Sequence, residues 1–197
     1  MSRVVSTVVK SPKAAPSRAT RVQEILARNG VSASAWYGLL DAARTPELPG
    51  EAVTAGMKIR SLYAGEMGEA LSDVAPYLVE LPLKSSYFEK LAENWPDYHF
   101  VLFQSQATFE ALYKHLRTFL LVKDERGKLL RFRYYDARVL RPFLPACTPA
   151  ELGGFFGPIS RYYILTANGN SVLAHSASGT GLMRRALPLF EGNPERA

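Results

Sequence analysis

The segment 129–144 places arginines and aromatic residues around a single aspartate, in the order LLRFRYYDARVLRPFL. Guanidinium groups bind phosphates and carboxylates through two parallel hydrogen bonds, and a nearby carboxylate can hold them in position. The segment is therefore a candidate for an enzyme site or a nucleotide- or anion-binding site, built from Asp136 and the arginines at 131, 133, 138 and 141. The alternative is structural, with arginines on exposed faces and the aspartate at the end of a helix.

The local pattern favours the structural alternative for much of this segment. LLVKD and KLLRFRYY are joined by the short ERG, which predicts a β-hairpin. Because side chains alternate along a strand, Leu130, Phe132 and Tyr134 are expected on one face, with Arg131, Arg133 and Tyr135 on the other. Half of the candidate site is then the exposed face of a strand.

Asp136 falls where this strand must turn into a helix. Its carboxylate can accept the free backbone N–H groups of the first helical turn and complement the helix dipole. Pro142 lies within the helical pattern that follows, and we expect it to kink or divide the helix.

Other residues capable of chemistry are few and scattered. His99 and His115 are expected to pack, and the SASGTG that follows His175 lacks the spacing of a hydrolase or phosphate-binding loop. Cys147 is the only cysteine; it is either a buried structural residue or a thiol activated at a helix start. No zinc-type spacing is present, so neither a metal nor a cofactor is expected.

The net charge of +6 is concentrated near the N-terminus, because residues 1–28 contain six basic residues and one glutamate. We interpret residues 1–17 as a disordered basic leader; the alternative is a tail that binds nucleic acid through phosphate contacts. The rest of the chain carries about +1, so nucleic acid is not an expected partner of the folded part. Because no uninterrupted apolar run of about 18 residues occurs, we expect a cytoplasmic protein without membrane contact.

Alternation of strands and helices defines the predicted architecture. Ser17 is expected to cap a helix that ends at Asn29, residues 36–40 form a buried strand, and residues 45–56 are mostly loop. Three strands in RSLYAG, YLVEL and HFVLFQ are each followed by a helical segment: EMGEALSDVA, SYFEKLAENW and a long helix from Phe109 to Phe119. This order favours a largely parallel sheet.

The C-terminal third changes pattern. Thr148, Pro149 and Glu151 predict a capping box at a helix that ends at Gly157-Pro158. ISRYYILT and SVLAH flank Asn168-Gly169, which favours a hairpin with a type I′ turn.

The predicted class is α/β, with a mixed, partly parallel sheet flanked by helices, and a hairpin and two short helices toward the C-terminus. Its predicted parts are a leader (1–17), a short helix (18–30), one domain (31–186) and a tail (187–197).

Most aromatic residues lie on buried patterns, but Trp95 and Tyr98 occur in ENWPDYH at a helix end. Large aromatic side chains at such a position can anchor a protein partner. We therefore predict that both are exposed and available for binding.

The order of these motifs resembles the effector-adaptor family of bacterial type VI secretion systems. The resemblance spans residues 36–164 and rests on WYGLLDAAR, RSLYAG, APYLVEL and, above all, RFRYYDARVL with the downstream FFGP. It departs from the family at Pro142, where an ordinary helix former is expected. Many relatives continue into a further helical lobe, whereas this sequence ends about 30 residues after Ile164. If that lobe makes one partner contact, the protein is expected either to perform half of the adaptor function or to use a shorter surface.

The resemblance implies a non-catalytic cytoplasmic adaptor that binds one cognate toxin effector and helps to seat it on the VgrG spike. The family motif then corresponds to structural positions at Phe132, Asp136, Phe155, Gly157 and Pro158, together with Arg131 and Arg138. The predicted partner-binding residues are Arg131, Arg133, Tyr135, Arg138, Trp95 and Tyr98. The competing hypothesis is a small enzyme or a nucleotide- or anion-binding domain that uses residues 131–141.

Overall fold

A computed structural model of the chain describes residues 15–63, 65, 70–124 and 126–190. Its helices are α1 (Arg18–Asn29), α2 (Glu47–Thr54), α3 (Ser86–Glu93), α4 (Trp95–Tyr98), α5 (Phe109–Arg117), α6 (Ala137–Ala146) and α7 (Pro149–Phe156), with a 3-10 turn at Ser72–Val74. Its strands are β1 (Ala35–Asp41), β2 (Ile59–Ser61), β3 (Pro76–Glu80), β4 (Val101–Ser105), β5 (Leu121–Lys123), β6 (Leu129–Arg131), β7 (Ile159–Leu165), β8 (Ser171–Ser178) and β9 (Gly181–Pro188). Among the described helices, none is long and apolar enough to cross a membrane.

Seven of the described strands form one sheet in the order β2-β3-β1-β4-β7-β8-β9, and β5 pairs with β6 in a separate hairpin. The predicted α/β class is confirmed, but the predicted parallel pairing is wrong, because every pairing in the described sheets is antiparallel. β3 and β4 do run in the same direction, as a strand–helix–strand unit requires. β1 lies between them, however, so they are not neighbours.

The sheet has a hydrophobic core on each face. α1 to α4 cover one face, where residues such as Leu26, Phe88 and Leu40 are buried. α5 to α7 cover the other face, where Leu112, Leu140 and Leu39 are buried. Alternate side chains of β1 thus enter opposite cores, as expected for a strand in the middle of a three-layer structure.

The helix starts that depend on local capping are confirmed. The Ser17 hydroxyl accepts a hydrogen bond from the Thr20 N–H at 3.1 Å. At α7, the Glu151 carboxylate accepts from the Thr148 N–H at 2.7 Å, which completes the predicted capping box. These signals are reliable because each involves residues within one helical turn.

Two proline-containing segments differ from their predictions. Residues 47–54 form α2 rather than mostly loop, with Leu48 and Ala52 buried against the core. α6 continues through Pro142 instead of dividing there, and Leu140 and Leu144 are buried on its inner face. Burial of this apolar face stabilises a helix in which both Pro142 and Pro145 lack the N–H for a backbone hydrogen bond. The predicted helix in EMGEALSDVA includes residues 66–69, which lie outside the described residues.

The C-terminal hairpin is present, with two differences from the prediction. Gly169 has a φ of 71°, but Asn168 has no positive φ, so the turn is not type I′. β9, which the sequence pattern did not reveal, follows β8 and continues to Pro188, two residues into the predicted tail.

Candidate functional site

Asp136 caps α6 and forms an ion pair with the second residue of that helix. Its buried carboxylate accepts from the Arg138 N–H at 2.9 Å and from the Arg138 guanidinium at 2.5 Å. Burial alone raises the pKa of this carboxyl group, but the hydrogen bonds from Arg138 outweigh it and hold the pKa below its usual range. The predicted cap is confirmed, and the carboxylate is used within the chain.

A second buried aspartate, Asp41, lies at the end of β1 and binds Arg133. Its carboxylate also accepts from the Ala43 N–H at 3.2 Å. The hydrogen bond to Asp41 raises the pKa of the Arg133 guanidinium. Sequence reasoning missed Asp41 because it lies 92 residues from its partner and belongs to no local motif.

Arg133 does not lie on a strand, because β6 ends at Arg131 and residues 132–135 form a connection to α6. The predicted alternation of arginines along one strand is therefore wrong beyond Arg131. The two pairs, Arg133 with Asp41 and Arg138 with Asp136, fix both ends of this connection. We call the two pairs and residues 132–138 the arginine–aspartate corner.

The aromatic residues of the corner pack around Phe155 of α7. The Phe155 ring lies 5.9 Å from Tyr134 and 6.4 Å from Phe132, centroid to centroid, and 5.4 Å from Tyr162 of β7. The Tyr134 hydroxyl donates to the Leu116 carbonyl at 2.7 Å, which joins the corner to α5. Phe155 is therefore part of the core on the α5–α7 face of the sheet, and Phe132 packs against that core.

Gly157 and Pro158 have equally specific structural roles at the end of α7. Gly157 has a φ of 47°, and a Cβ there would lie 2.4 Å from the His115 ring, so a larger residue does not fit. His115 in turn hydrogen-bonds the Phe155 carbonyl at 3.0 Å through Nε2. The Pro158 carbonyl accepts from the Ser105 hydroxyl at 2.6 Å, which attaches this turn to β4.

The predicted partner-binding residues divide into exposed and buried ones. Arg131, Arg133 and Arg138 are exposed, and Arg131 lies 5.6 Å from the Tyr63 ring. The expectation that Trp95 is exposed is wrong: it is fully buried, stacks on Phe100, and donates its ring N–H to the Phe100 carbonyl at 2.9 Å.

Tyr135 is also buried, at 4% exposure, so neither it nor Trp95 offers a surface for a partner. Tyr98 is half-buried. The role of Tyr98 and of the three exposed arginines in partner binding stays a prediction.

A pocket of about 230 Å³ opens beside the corner, between α4, α6 and the end of β7. His99, Arg138 and Arg141 line it, and Arg141 donates to the Leu165 carbonyl at 2.9 Å. Burial and the positive charges of Arg44 and Arg138 lower the pKa of His99, and burial lowers that of Arg141. The positive charge of the pocket comes from Arg138, whose charge Asp136 partly offsets, and from Arg141, and it would favour an anion.

The sequence profile of a family described as a domain of unknown function, DUF4123, matches residues 36–153. The chain belongs to the DUF4123 family. Neither a curated protein nor a solved structure matches it.

The DUF4123 match extends from the second residue of β1 into α7 and contains the whole arginine–aspartate corner. α1 and the strands β7, β8 and β9 lie outside it, as do Phe155, Gly157 and Pro158. The seven-stranded sheet therefore contains four strands within the DUF4123 match and three antiparallel strands, β7 to β9, outside it.

Cys147 and His175 are the two remaining candidates for chemistry in this DUF4123 protein, and burial shifts the pKa of each. Burial and the nearby Glu151 raise the pKa of the Cys147 thiol, contrary to the activated thiol considered above. His175 of β8 is fully buried, between Tyr162 on β7 and Arg184 on β9 in the sheet register. Neither ring nitrogen of His175 makes a well-formed hydrogen bond, and the Tyr162 hydroxyl also has no partner among the described residues.

Burial and the charge of Arg184 lower the pKa of His175 to about 4, so the ring is neutral at physiological pH. Within the described part of the chain, no group of three or more His, Cys, Asp or Glu side chains is arranged to hold a metal ion.

Proposed function

We propose that this DUF4123 protein is a non-catalytic adaptor that acts in the cytoplasm. It binds a cognate type VI secretion toxin effector and helps to load it onto the VgrG spike. The observation that carries the proposal is the family match over residues 36–153, which contains the RFRYYDARVL segment on which the resemblance to effector adaptors rests.

The arrangement of the corner supports a binding protein. Both buried carboxylates accept hydrogen bonds from arginines and backbone N–H groups of the same chain. Such pairs fix the connection between the β5–β6 hairpin and α6, and a rigid connection lowers the entropic loss when a surface binds a partner. The hairpin also exposes three leucines, at 121, 129 and 130, which a partner could cover.

Co-expression with each toxin encoded next to the gene, followed by size-exclusion chromatography, tests the proposal. We expect one stoichiometric complex, since a stable interface of about 1,200–2,000 Å² survives dilution on a column. Addition of the neighbouring VgrG should then yield a ternary complex. Separate elution of the adaptor from every neighbouring toxin and spike protein would contradict the proposal.

Anion binding is the second candidate function, and the positively charged pocket beside α6 favours it. His99, Arg138 and Arg141 converge there, and the Arg141 Nε has no hydrogen-bond partner in the described structure. A melting temperature that rises with inorganic phosphate or ATP, and no longer rises in Arg141→Gln, would support this function. Unchanged melting at millimolar concentrations of both would exclude it for these anions.

A further inference from the structure

β9 forms one edge of the seven-stranded sheet and differs from the opposite edge in length. It contains eight residues, whereas β2 at the other edge contains three. Among residues 15–63, 65, 70–124 and 126–190, no strand pairs with the outer side of β9. A long edge strand presents a row of backbone donors and acceptors that can pair with another extended chain.

The register shows which backbone groups of β9 point outward. β8 and β9 pair without interruption from Ser171↔Pro188 to Ser178↔Gly181, and the Leu189 N–H donates to the Asn170 carbonyl at 2.9 Å. Because hydrogen-bonded and non-hydrogen-bonded pairs alternate in an antiparallel ladder, odd-numbered residues of β9 bond to β8 and even-numbered ones face outward.

The outward backbone groups therefore belong to Leu182, Arg184, Ala186 and Pro188. Pro188 has no N–H to leave unpaired, which suits an edge position. The side chains of residues 183–186 are exposed, so no described residue covers this part of the strand.

The charge around this edge has a single sign. Residues 159–190 contain Arg161, Arg184 and Arg185 and neither Asp nor Glu. Arg161, Arg184 and Arg185 all line a shallow groove on the α1 side of the sheet. Because successive side chains of a strand alternate between its faces, Arg184 and Arg185 leave the backbone toward opposite sides of the sheet. A strand added to β9 would have arginines near both of its faces.

We propose that the outer edge of β9 is the docking site for an extended acidic segment of the effector, which adds to the sheet as an eighth strand. This inference rests on the proposed function. A second copy of the chain is a poorer occupant, because edge-to-edge pairing would bring the Arg184-Arg185 pairs of two copies together. An acidic strand instead satisfies both the backbone groups and the charges.

Amide hydrogen exchange followed by NMR tests the position of the added strand. In the free protein, the N–H groups of Met183, Arg185 and Leu187 should be protected by β8, and those of Leu182, Arg184 and Ala186 should exchange rapidly. In the complex with the co-purified toxin, the second set should become protected. A formed complex with no new protection at these three amides would overturn the inference.

Protection of the same amides in the free protein would also overturn it. At low concentration it would indicate that another segment of this chain covers the edge. Protection that appears only as the concentration rises would indicate a second copy.

A matched pair of substitutions isolates the backbone contribution. Ala186→Pro removes one outward N–H without removing a bond to β8, whereas Ala186→Val keeps that N–H and favours a strand. We expect Ala186→Pro to weaken the toxin complex by about tenfold and Ala186→Val to change it by less than about twofold. Equal affinities for the two variants, with unchanged melting temperatures, would contradict strand addition.

The charge contribution needs a control with the same change in net charge. Arg184→Glu with Arg185→Glu should weaken the complex by about tenfold or more, and Lys84→Glu with Lys114→Glu, at two exposed lysines outside β9 and the β5–β6 hairpin, by less than about twofold. Equal weakening by both pairs would contradict local recognition of an acidic segment. If the wild-type protein forms no complex with any neighbouring toxin, the proposed function itself fails. If a complex forms and none of the β9 variants changes its affinity, only the docking site is refuted.

Discussion

The arginine–aspartate corner and the β9 edge are both rich in arginine, but their polar groups are used in opposite ways. In the corner, Asp136 and Asp41 are buried and each accepts from an arginine of the same chain. At β9, the backbone groups of every second residue face outward, and the sequence from β7 to Phe190 supplies no carboxylate. Polar groups satisfied within the chain stabilise the fold, and unsatisfied ones at a surface are available to a partner.

This comparison leads to a general expectation for substitutions. Changes at the buried residues of the corner should lower the free energy of unfolding and affect effector binding only through the folded fraction. Changes on the outer side of β9 should lower the affinity for the effector and leave the free energy of unfolding nearly unchanged.

Phe155→Ala should have the largest effect, because it removes the ring at the centre of the aromatic cluster. We expect the free energy of unfolding to fall by about 4 kcal/mol, as for other large-to-small changes at fully packed aromatic positions. Chemical denaturation measures this loss. Phe190→Ala is the control, because that ring is partly exposed at the end of β9 and should account for about 1 kcal/mol or less. Comparable losses for the two variants would show that Phe155 is not the centre of the packing.

The second prediction concerns His175, which lies between the two regions. Its pKa is about 4 in the folded protein and about 6.5 in an unfolded chain, so the unfolded state binds more protons between these values. Stability should be complete above about pH 6.5 and should decrease by roughly 3 kcal/mol as the pH falls toward 4.

Thermal unfolding of the wild-type protein and of His175→Leu between pH 4 and 7.5 measures this dependence. Leucine has no titrating group and leaves no buried nitrogen without a partner, so the variant should lose less stability on acidification. Identical pH profiles would show that His175 does not control the acid sensitivity.

The third prediction separates the two roles of Asp136. Asp136→Ala removes both the cap and the ion pair and should lower the free energy of unfolding by about 2 kcal/mol. Asp136→Asn keeps a capping oxygen but loses the charge, so about 1 kcal/mol is expected; the half-exposed Arg138 can return to water, which limits this loss.

The comparison of these two variants also tests the enzyme alternative. Catalysis by Asp136 would predict loss of a turnover in Asp136→Asn with an unchanged melting temperature. A structural cap predicts a lower melting temperature for both variants, in the order alanine below asparagine below wild type.

The sequence predicted the features that depend on neighbouring residues. The caps at Ser17, Asp136 and Thr148 were predictable because each side chain binds a backbone N–H two or three residues away. The ion pair between Asp41 and Arg133 was not, because it forms only after β1 and the segment after β6 have met in the folded chain. The antiparallel sheet order was missed for a similar reason: strand–helix–strand units look the same in sequence whether or not another strand lies between them.

β9 was missed because its own pattern is ambiguous. In GLMRRALP the two adjacent arginines interrupt any alternation of polar and apolar residues, since both faces of an edge strand are partly exposed there. The feature that hides this strand from sequence reasoning is the same feature that makes its edge available to a partner.

The smallest expected change in stability belongs to Arg184→Gln, which separates the two regions most sharply. The side chain is exposed and lies beyond the corner, so the free energy of unfolding at pH 7.5 should change by less than about 0.5 kcal/mol. The positive charge of Arg184 contributes to the low pKa of His175, so its removal should raise that pKa and reduce the loss of stability below pH 6.5.

The affinity of Arg184→Gln for the effector should nevertheless fall, by about threefold to tenfold, because one of the charges facing the docked strand is lost. Arg138→Gln is the matched variant in the corner: it should lower the melting temperature, because the side chain pairs with the buried Asp136, and its affinity for the effector tests the predicted role of Arg138 in partner binding. If Arg184→Gln destabilised the free protein as much as Arg138→Gln does, the β9 edge and the corner would contribute to stability in the same way. The outer edge of β9 would then serve the fold as the corner does.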